Sequence, residues 1–225
     1  MTTASTLTTT TTLTMAPLHI LFSGRNGMPS PRSLNDPAAL HSTVMRLFGP
    51  VEGASPRAVA GVLFRVEPAD QQRPGVLLVR SGQAPTTSIE GMISREENDP
   101  PATGTPVAFR VAVNAVRRHS ARVKAASTDP SALSAIVPRD DDPANTGPAM
   151  TEWLAERLAG GLSEVQILNH DRRVVGRKTG RVVQTDLVDG FAVVENTERL
   201  RELLASGVGR AKNYGCGLLT VKAIG

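Results

Sequence analysis

Only one of the 225 residues is cysteine, Cys216. That count excludes an intrachain disulfide and a cysteine-rich zinc site, and it fits a reducing cytoplasm. Aromatic residues are equally scarce, at 3% of the chain: five Phe, Trp153 and Tyr214. Stacking bases on an aromatic platform is therefore a poor match, and a nucleic-acid partner would have to be held by charge and shape. No apolar run is long enough to span a bilayer, so no membrane partner is expected. The first 24 residues carry no charge, yet they are mostly threonine, with neither a basic n-region nor an apolar h-region, and do not read as a signal peptide. Residues 1–14 read as a disordered leader, with Met15 a second candidate start before the first apolar run.

An apolar content of 40% is enough to bury a core, and the length suits one large domain or two small ones. The net charge of +4 is unevenly placed: residues 1–164 hold 15 cations and 15 anions, residues 165–225 hold 10 cations and 6 anions. An excess confined to the C-terminal part favours a polyanionic partner. Arginine outnumbers lysine 21 to 4, which suits bidentate phosphate contacts and is equally what a GC-rich genome produces.

Leu18, Ile20 and Phe22 alternate within PLHILFSG and predict a first strand. A helix follows, with Asp36 as N-cap, Pro37 at its first position, Leu40, Val44, Leu47 and Phe48 on one face, and Gly49 and Pro50 as its stop. Residues 58–66 and 75–81 read as an antiparallel pair, and 86–98 as a second helix before the break at Pro100, Pro101 and Gly104. Alternating Val107, Phe109, Val111 and Val113 open a second unit. Residues 127–148 read as a long connection, whose Asp140 to Asp142 run could hold a divalent cation but is more simply a solvated loop. A helix capped by Thr151 carries Trp153, Leu154 and Leu158, and residues 163–169 follow as a strand. The segment RRVVGRKTGRVVQTD then predicts a hairpin with five cations, Arg172, Arg173, Arg177, Lys178 and Arg181. Residues 191–194 form a strand and 197–206 a helix. Both halves approach the β-α-β-β-α-β order.

The chain closes on GVGRAKNYGCG, residues 207–217, before a strand at 218–224. Gly207, Gly209, Gly215 and Gly217 permit positive φ and close approach to a ligand, while Arg210 and Lys212 suit a phosphate, so the stretch reads as an anion cradle. Gly207 alone would be an ordinary helix terminator. A dinucleotide loop or P-loop is disfavoured, because this loop follows a helix and precedes a strand and has no terminal GK[ST].

GVGRAKNYGCGLLTV at 207–221 closely resembles the glycine-rich signature of the CasE family, the repeat-processing endoribonucleases of type I-E CRISPR systems. LNDPAALHSTVMRLFG at 34–49 resembles that family's first helix, and VLFRVEP at 62–68 and VAFRVAVN at 107–114 resemble its strands. The resemblance covers roughly residues 15–225 and implies an α+β fold of two tandem ferredoxin-like domains, here 15–103 and 104–225, with a basic β-hairpin and the glycine-rich loop in the second. It implies binding of a CRISPR repeat RNA stem-loop, metal-independent cleavage at the 3′ base of the stem without a cofactor, and retention of the mature guide among the other subunits of the interference complex. Deep, narrow RNA major grooves leave phosphates and shape as the features to read.

Residue by residue, the helix motif places the family's catalytic histidine at His41. An imidazole near its unperturbed pKa of about 6.5 can take the 2′-hydroxyl proton or protonate the leaving 5′-oxygen. His41 lies about 100° around the helix from Leu40, at the edge of the apolar face. Several relatives carry a tyrosine three residues earlier, where this chain has Ala38. Tyr214, Ser42, or an arginine or lysine stabilising the phosphorane could stand in for it. His19, His119 and His170 are weaker candidates with surface or strand-end roles. A non-catalytic repeat-RNA-binding subunit is the alternative that the missing tyrosine leaves open.

Overall fold

The computed structural model describes residues 11–118, 134–143, 145, 148–176 and 180–225. Two compact units are present: one runs to Asp99 and takes in Asn213–Gly215, the other comprises Pro100–Lys212 and Cys216–Gly225.

The first unit begins with strand β1 (Thr12–Pro17), a single helical turn α1 (Leu18–Leu21) and, after a 3-10 turn at Pro31–Asn35, helix α2 (Pro37–Arg46). A second turn α3 (Pro56–Val59) leads into strands β2 (Leu63–Glu67), β3 (Val76–Ser81) and β4 (Ile93–Glu96). The sheet order β2-β3-β1-β4 is antiparallel throughout and matches the ferredoxin-like arrangement.

Three expectations for this unit are corrected. The first strand is the threonine segment rather than PLHILFSG, where Leu18, Leu21 and Phe22 are buried at helical spacing and His19 is exposed. Residues 12–14, expected in the leader, thus lie in β1, flanked by β3 and β4 and with Thr14 Oγ1 2.9 Å from Ser94 Oγ. β-branched threonine suits such a strand once neighbours exist on both sides. The helix expected at 86–98 is absent: a loop reaches β4, and its Thr86 and Thr87 amides donate to the Leu47 carbonyl at 2.8 and 3.1 Å. These donors satisfy a carbonyl that the end of α2 leaves open. The turn at α3 also replaces the start of the strand expected at 58–66.

The second unit contains β5 (Pro106–Val113), a short pair β6 (Val116–Arg118) and β7 (Ser134–Ile136), helix α4 (Met150–Leu158), β8 (Leu162–Val175), β9 (Val183–Val194), helix α5 (Thr197–Ser206) and β10 (Leu219–Ala223). The antiparallel order β10-β5-β9-β8 makes a complete β-α-β-β-α-β unit. Val107, Phe109, Val111 and Val113 bury the predicted face of β5 against Trp153, Leu154 and Leu158 of α4 and Leu200, Leu203 and Leu204 of α5. Each such fully buried side chain contributes about 1.5–3 kcal/mol relative to exposure.

The strand expected at 163–169 and the first arm of the hairpin are one continuous strand, β8, bent by irregularities between Ser163 and Gln166 and between Ile167 and Asn169. Gly190 on β9 makes that bend possible: a Cβ there would lie 2.2 Å from the Gln166 carbonyl oxygen and 2.6 Å from Phe109 Cζ. Helix α4 starts one residue before the expected cap. The Thr151 amide and hydroxyl donate to the two Asp140 carboxylate oxygens at 2.9 and 2.8 Å, so the first acid of the 140–142 run caps a helix.

Candidate active site

Helix α2 is built as its sequence dictates. Asp36 Oδ1 accepts the Ala38 amide at 2.9 Å, Pro37 is the first helical residue, and Leu40 and Val44 are buried. That packing fixes the helix and leaves His41, one position on, half-buried on the wall of a cleft of about 620 Å³. Ser42, Met45, Arg46, Pro56 and Thr87 share the wall. His41 Nδ1 is buried with no hydrogen-bond partner. Burial, and secondarily the positive charge of Arg57, hold the imidazole below its ordinary pKa. An imidazole kept neutral on the wall of an open cleft is a proton acceptor for a donor bound there.

Arg57 comes from α3, whose first residue, Pro56, lines the cleft. Its backbone and side chain both clasp Val62: the Val62 amide donates to the Arg57 carbonyl at 2.9 Å, and Arg57 Nη1 donates to the Val62 carbonyl at 2.7 Å. Partial burial lowers its pKa. Arg46 is exposed at the rim, with Nη1 3.3 Å from the Gly27 carbonyl. Neither cation was singled out by sequence. Arg57 sits in a turn sixteen residues after His41, and nothing local signals that the two converge.

Ser42 is exposed and lines the cleft, as a helper would. Ala38 is exposed and offers no functional group. Tyr214 is half-buried and packs with the first unit, but it is not among the residues lining the cleft. Its neighbour Gly215 explains why the loop reaches this unit. With φ +85° and a would-be Cβ 3.3 Å from Phe64 Cε2 and 3.9 Å from Leu40 Cδ2, only glycine lets the backbone pass beside α2 without strain.

All four loop glycines adopt positive φ, as expected. The cradle itself is largely spent on the fold. The Gly207, Val208 and Gly217 amides donate to the Leu203, Gly217 and Ala112 carbonyls, and Lys212 Nζ donates to the Ser206 carbonyl at the end of α5. Arg210 remains exposed, with no ion pair among the described residues.

The hairpin cations divide in the same way. Arg172 Nε donates to Asp186 Oδ1 at 2.6 Å and its Nη2 to the Val137 carbonyl at 2.6 Å, so it belongs to a buried network. Asp186, fully buried, also takes His170 Nε2 at 2.8 Å and Gln184 Nε2 at 2.9 Å. Burial pushes the Asp186 carboxyl up, but the hydrogen bonds from His170, Gln184 and Arg172 outweigh it and leave its pKa lowered. His170 is thus a structural partner, while His19 is simply exposed. Arg173 pairs with Asp171 at 2.7 Å on the surface, where such pairs are weak and exchangeable. Arg181 is exposed; Arg177, Lys178 and His119 lie outside the described residues. Burial pushes the Cys216 thiol up to about 12.

The sequence profile of the family described as CRISPR associated protein matches residues 18–223. No curated protein matches the chain. Among solved structures, Cse3 of Thermus thermophilus, bound to an RNA representing a pre-cleavage complex, is 26% identical with a TM-score of 0.67, over 95% of this chain and 99% of that one. A structure of the CRISPR endoribonuclease Cse3 bound to a 19-nucleotide RNA is 26% identical with a TM-score of 0.65, over 94% and 99%. A chain of a CRISPR RNA-guided surveillance complex shares the fold at 21% identity and a TM-score of 0.56, over 95% and 100%. No described helix is long and apolar enough to cross a membrane. With its two ferredoxin-like sheets, its histidine-bearing helix and a family profile spanning nearly the whole of both units, the chain is a CRISPR-associated protein of the CasE family.

Proposed function

We propose that the protein is an endoribonuclease that binds the stem-loop of a CRISPR repeat transcript, cuts at the 3′ base of the stem and stays on the mature guide as a cytoplasmic subunit of the interference complex. The observation that carries the reading is the half-buried His41 imidazole on the wall of an open cleft. The reading is supported by the Cse3 relatives, solved with RNA.

A neutral His41 takes the proton of the 2′-hydroxyl; the oxygen attacks the adjacent phosphorus, and the bond from phosphorus to the 5′-oxygen breaks. The imidazolium then returns its proton to that leaving oxygen. The products are a 2′,3′-cyclic phosphate and a 5′-hydroxyl, and one imidazole carries both proton transfers with no metal or cofactor required. Binding rests on phosphate contacts from the surface cations of the second unit, Arg173, Arg181 and Arg210, with Arg177 and Lys178 of the same basic stretch of sequence, and on the shape of the glycine loop.

Cleavage of an end-labelled repeat hairpin in EDTA tests this. His41→Ala should lower the single-turnover rate by about 10²–10⁴-fold, with binding unchanged and only the wild type yielding the cyclic end. A wild type that binds the hairpin and never cuts it would favour a purely RNA-holding subunit, to which the absence of a phenol at Ala38 also points.

A further inference from the structure

The cleft beside His41 is more apolar than proton transfer alone requires. Its volume of about 620 Å³ falls in the range of about 300–1,000 Å³ typical of sites for organic ligands, and Leu21, Met28, Met45, Leu47 and Pro56 line it together with His41. Among the described residues no carboxylate lines it and the cation on its wall is Arg46, so a polyanionic strand meets no repulsion there. Every one of these lining residues belongs to the first unit. Leu21 and Leu47 are buried in the core of that unit, and Met45 packs against it. Met28 does neither: it is half-buried, yet it is not among the apolar residues packed on that core. A built turn brings it to the cleft. Gly24, Asn26 and Gly27 take φ of +70°, +51° and +75°, the Gly24 amide donates to the Pro29 carbonyl and the Met28 amide to the Arg25 carbonyl, both at 2.9 Å. Arg46 Nη1, 3.3 Å from the Gly27 carbonyl, ties the turn to helix α2. A thioether held at a cleft by its backbone and not used by the core is a surface for another group, and methionine sulfur makes favourable contacts with aromatic rings.

We propose that this apolar wall, with Met28 as its dedicated contact, is a subsite for the base of the nucleotide immediately 3′ of the cut. The inference rests on the ribonuclease reading. Attack by the 2′-oxygen requires the leaving 5′-oxygen to lie in line on the far side of phosphorus. A stacked strand does not provide that alignment, so the nucleotides on either side of the scissile phosphate must turn apart. With the cut at the 3′ base of the stem, the nucleotide before it is held by its pair, whereas the one after it is single-stranded and unstacks most easily. Its base leaves water for the apolar surface beside His41, and its polar edge stays at the open mouth of the cleft. The described residues lining the cleft include no aromatic ring. Contact is therefore made by thioether and aliphatic carbon, which accept the face of any base, so the subsite positions the phosphate more than it reads sequence.

The test is single-turnover cleavage of the labelled repeat hairpin in EDTA, at saturating protein, by wild type, His41→Ala, Met28→Ala and Met28→Leu. The substrates are the natural RNA and two RNAs carrying an abasic sugar, one just 3′ and one just 5′ of the cut. Removing the 3′ base should slow wild type about 5–100-fold. Met28→Ala should cut the natural RNA about 3–10-fold more slowly, but the 3′-abasic RNA as fast as wild type does, because the contact is already gone. Met28→Leu, close to methionine in volume, should recover most of the rate. Binding of the hairpin, carried by its stem, should be unchanged throughout. A wild type that cuts the 3′-abasic RNA as fast as the natural one overturns the subsite, and because that comparison leaves the protein unaltered it does not depend on how a variant folds. A Met28→Ala that slows the natural and 3′-abasic RNAs equally also overturns it, as does coupling of Met28 to the 5′ base instead. A wild type that does not cut the natural RNA, or a His41→Ala that cuts it as well as wild type, overturns the ribonuclease reading and the subsite with it.

Discussion

Replacing Asp186 with alanine should cost the second unit about 3–5 kcal/mol, the penalty of breaking a buried ion pair by removing one partner. The structure supports the upper part of that range. The carboxylate is fully buried and receives three side-chain donors, from His170, Arg172 and Gln184, and the side chains of His170 and Arg172 are only 6% and 21% exposed. Loss of the anion strands those donors and leaves Arg172 anchored only through the Val137 carbonyl. At roughly 4 °C per kcal/mol for a unit of this size, thermal melts followed by circular dichroism should shift down by roughly 12–20 °C. The effect has a pH signature. Because the hydrogen bonds hold the folded pKa of Asp186 below its unfolded value of about 3.9, the stabilisation is fully present above that value and fades as pH falls through the lower folded pKa. Wild type and variant should therefore converge in acid. Arg172→Ala should lower Tm in the same sense, leaving a buried carboxylate without its cation. A variant at either position that melts within about 3 °C of wild type, with Arg172→Ala changing only RNA affinity and its salt dependence, would refute the network and return Arg172 to the RNA-binding face.

Two further outcomes are expected. Since burial and Arg57 lower the pKa of His41, the neutral base persists into acid, and the acid limb of wild-type cleavage should have its midpoint below the ordinary imidazole value of about 6.5; a midpoint above that value contradicts the geometry. Arg210→Ala should weaken repeat-RNA binding and flatten its salt dependence by about 0.7–0.9 in log–log slope for one lost phosphate contact, and an unchanged slope would take RNA away from the glycine loop.

The elements that were legible in the sequence are those whose signals are local. Asp36 and Pro37 begin α2, Leu40 and Val44 bury it, and the N-cap, first turn and buried face all occur as expected. Alternation along 107–113 marked β5, and helix α5 matches its expected bounds of 197–206. The His41 position came from the motif of that same helix. What misled was period-two spacing in a segment too short to distinguish two periods: Leu18, Ile20 and Phe22 fit a strand, while the burial of Leu18, Leu21 and Phe22 belongs to a helical turn. The threonine-rich start carried little apolar signal, because the strand it forms is specified by partners 59 to 84 residues away.

Charge shows the division most sharply. The sequence by itself determined that five cations fall within ten residues, 172–181, that two more lie in a glycine-rich stretch, and that a histidine follows Leu40 in the motif of a helix. Only the tertiary structure decided which of those charges are free to act. Asp186 on β9 reaches across to Arg172 on β8, the Ser206 carbonyl takes Lys212, and the packing of Leu40 and Val44 leaves His41 half-buried on the wall of the cleft. The reason is physical: composition and periodicity set which side chains share a face, whereas the pairing of an ion depends on strand register and loop closure, which are settled between residues far apart in the chain.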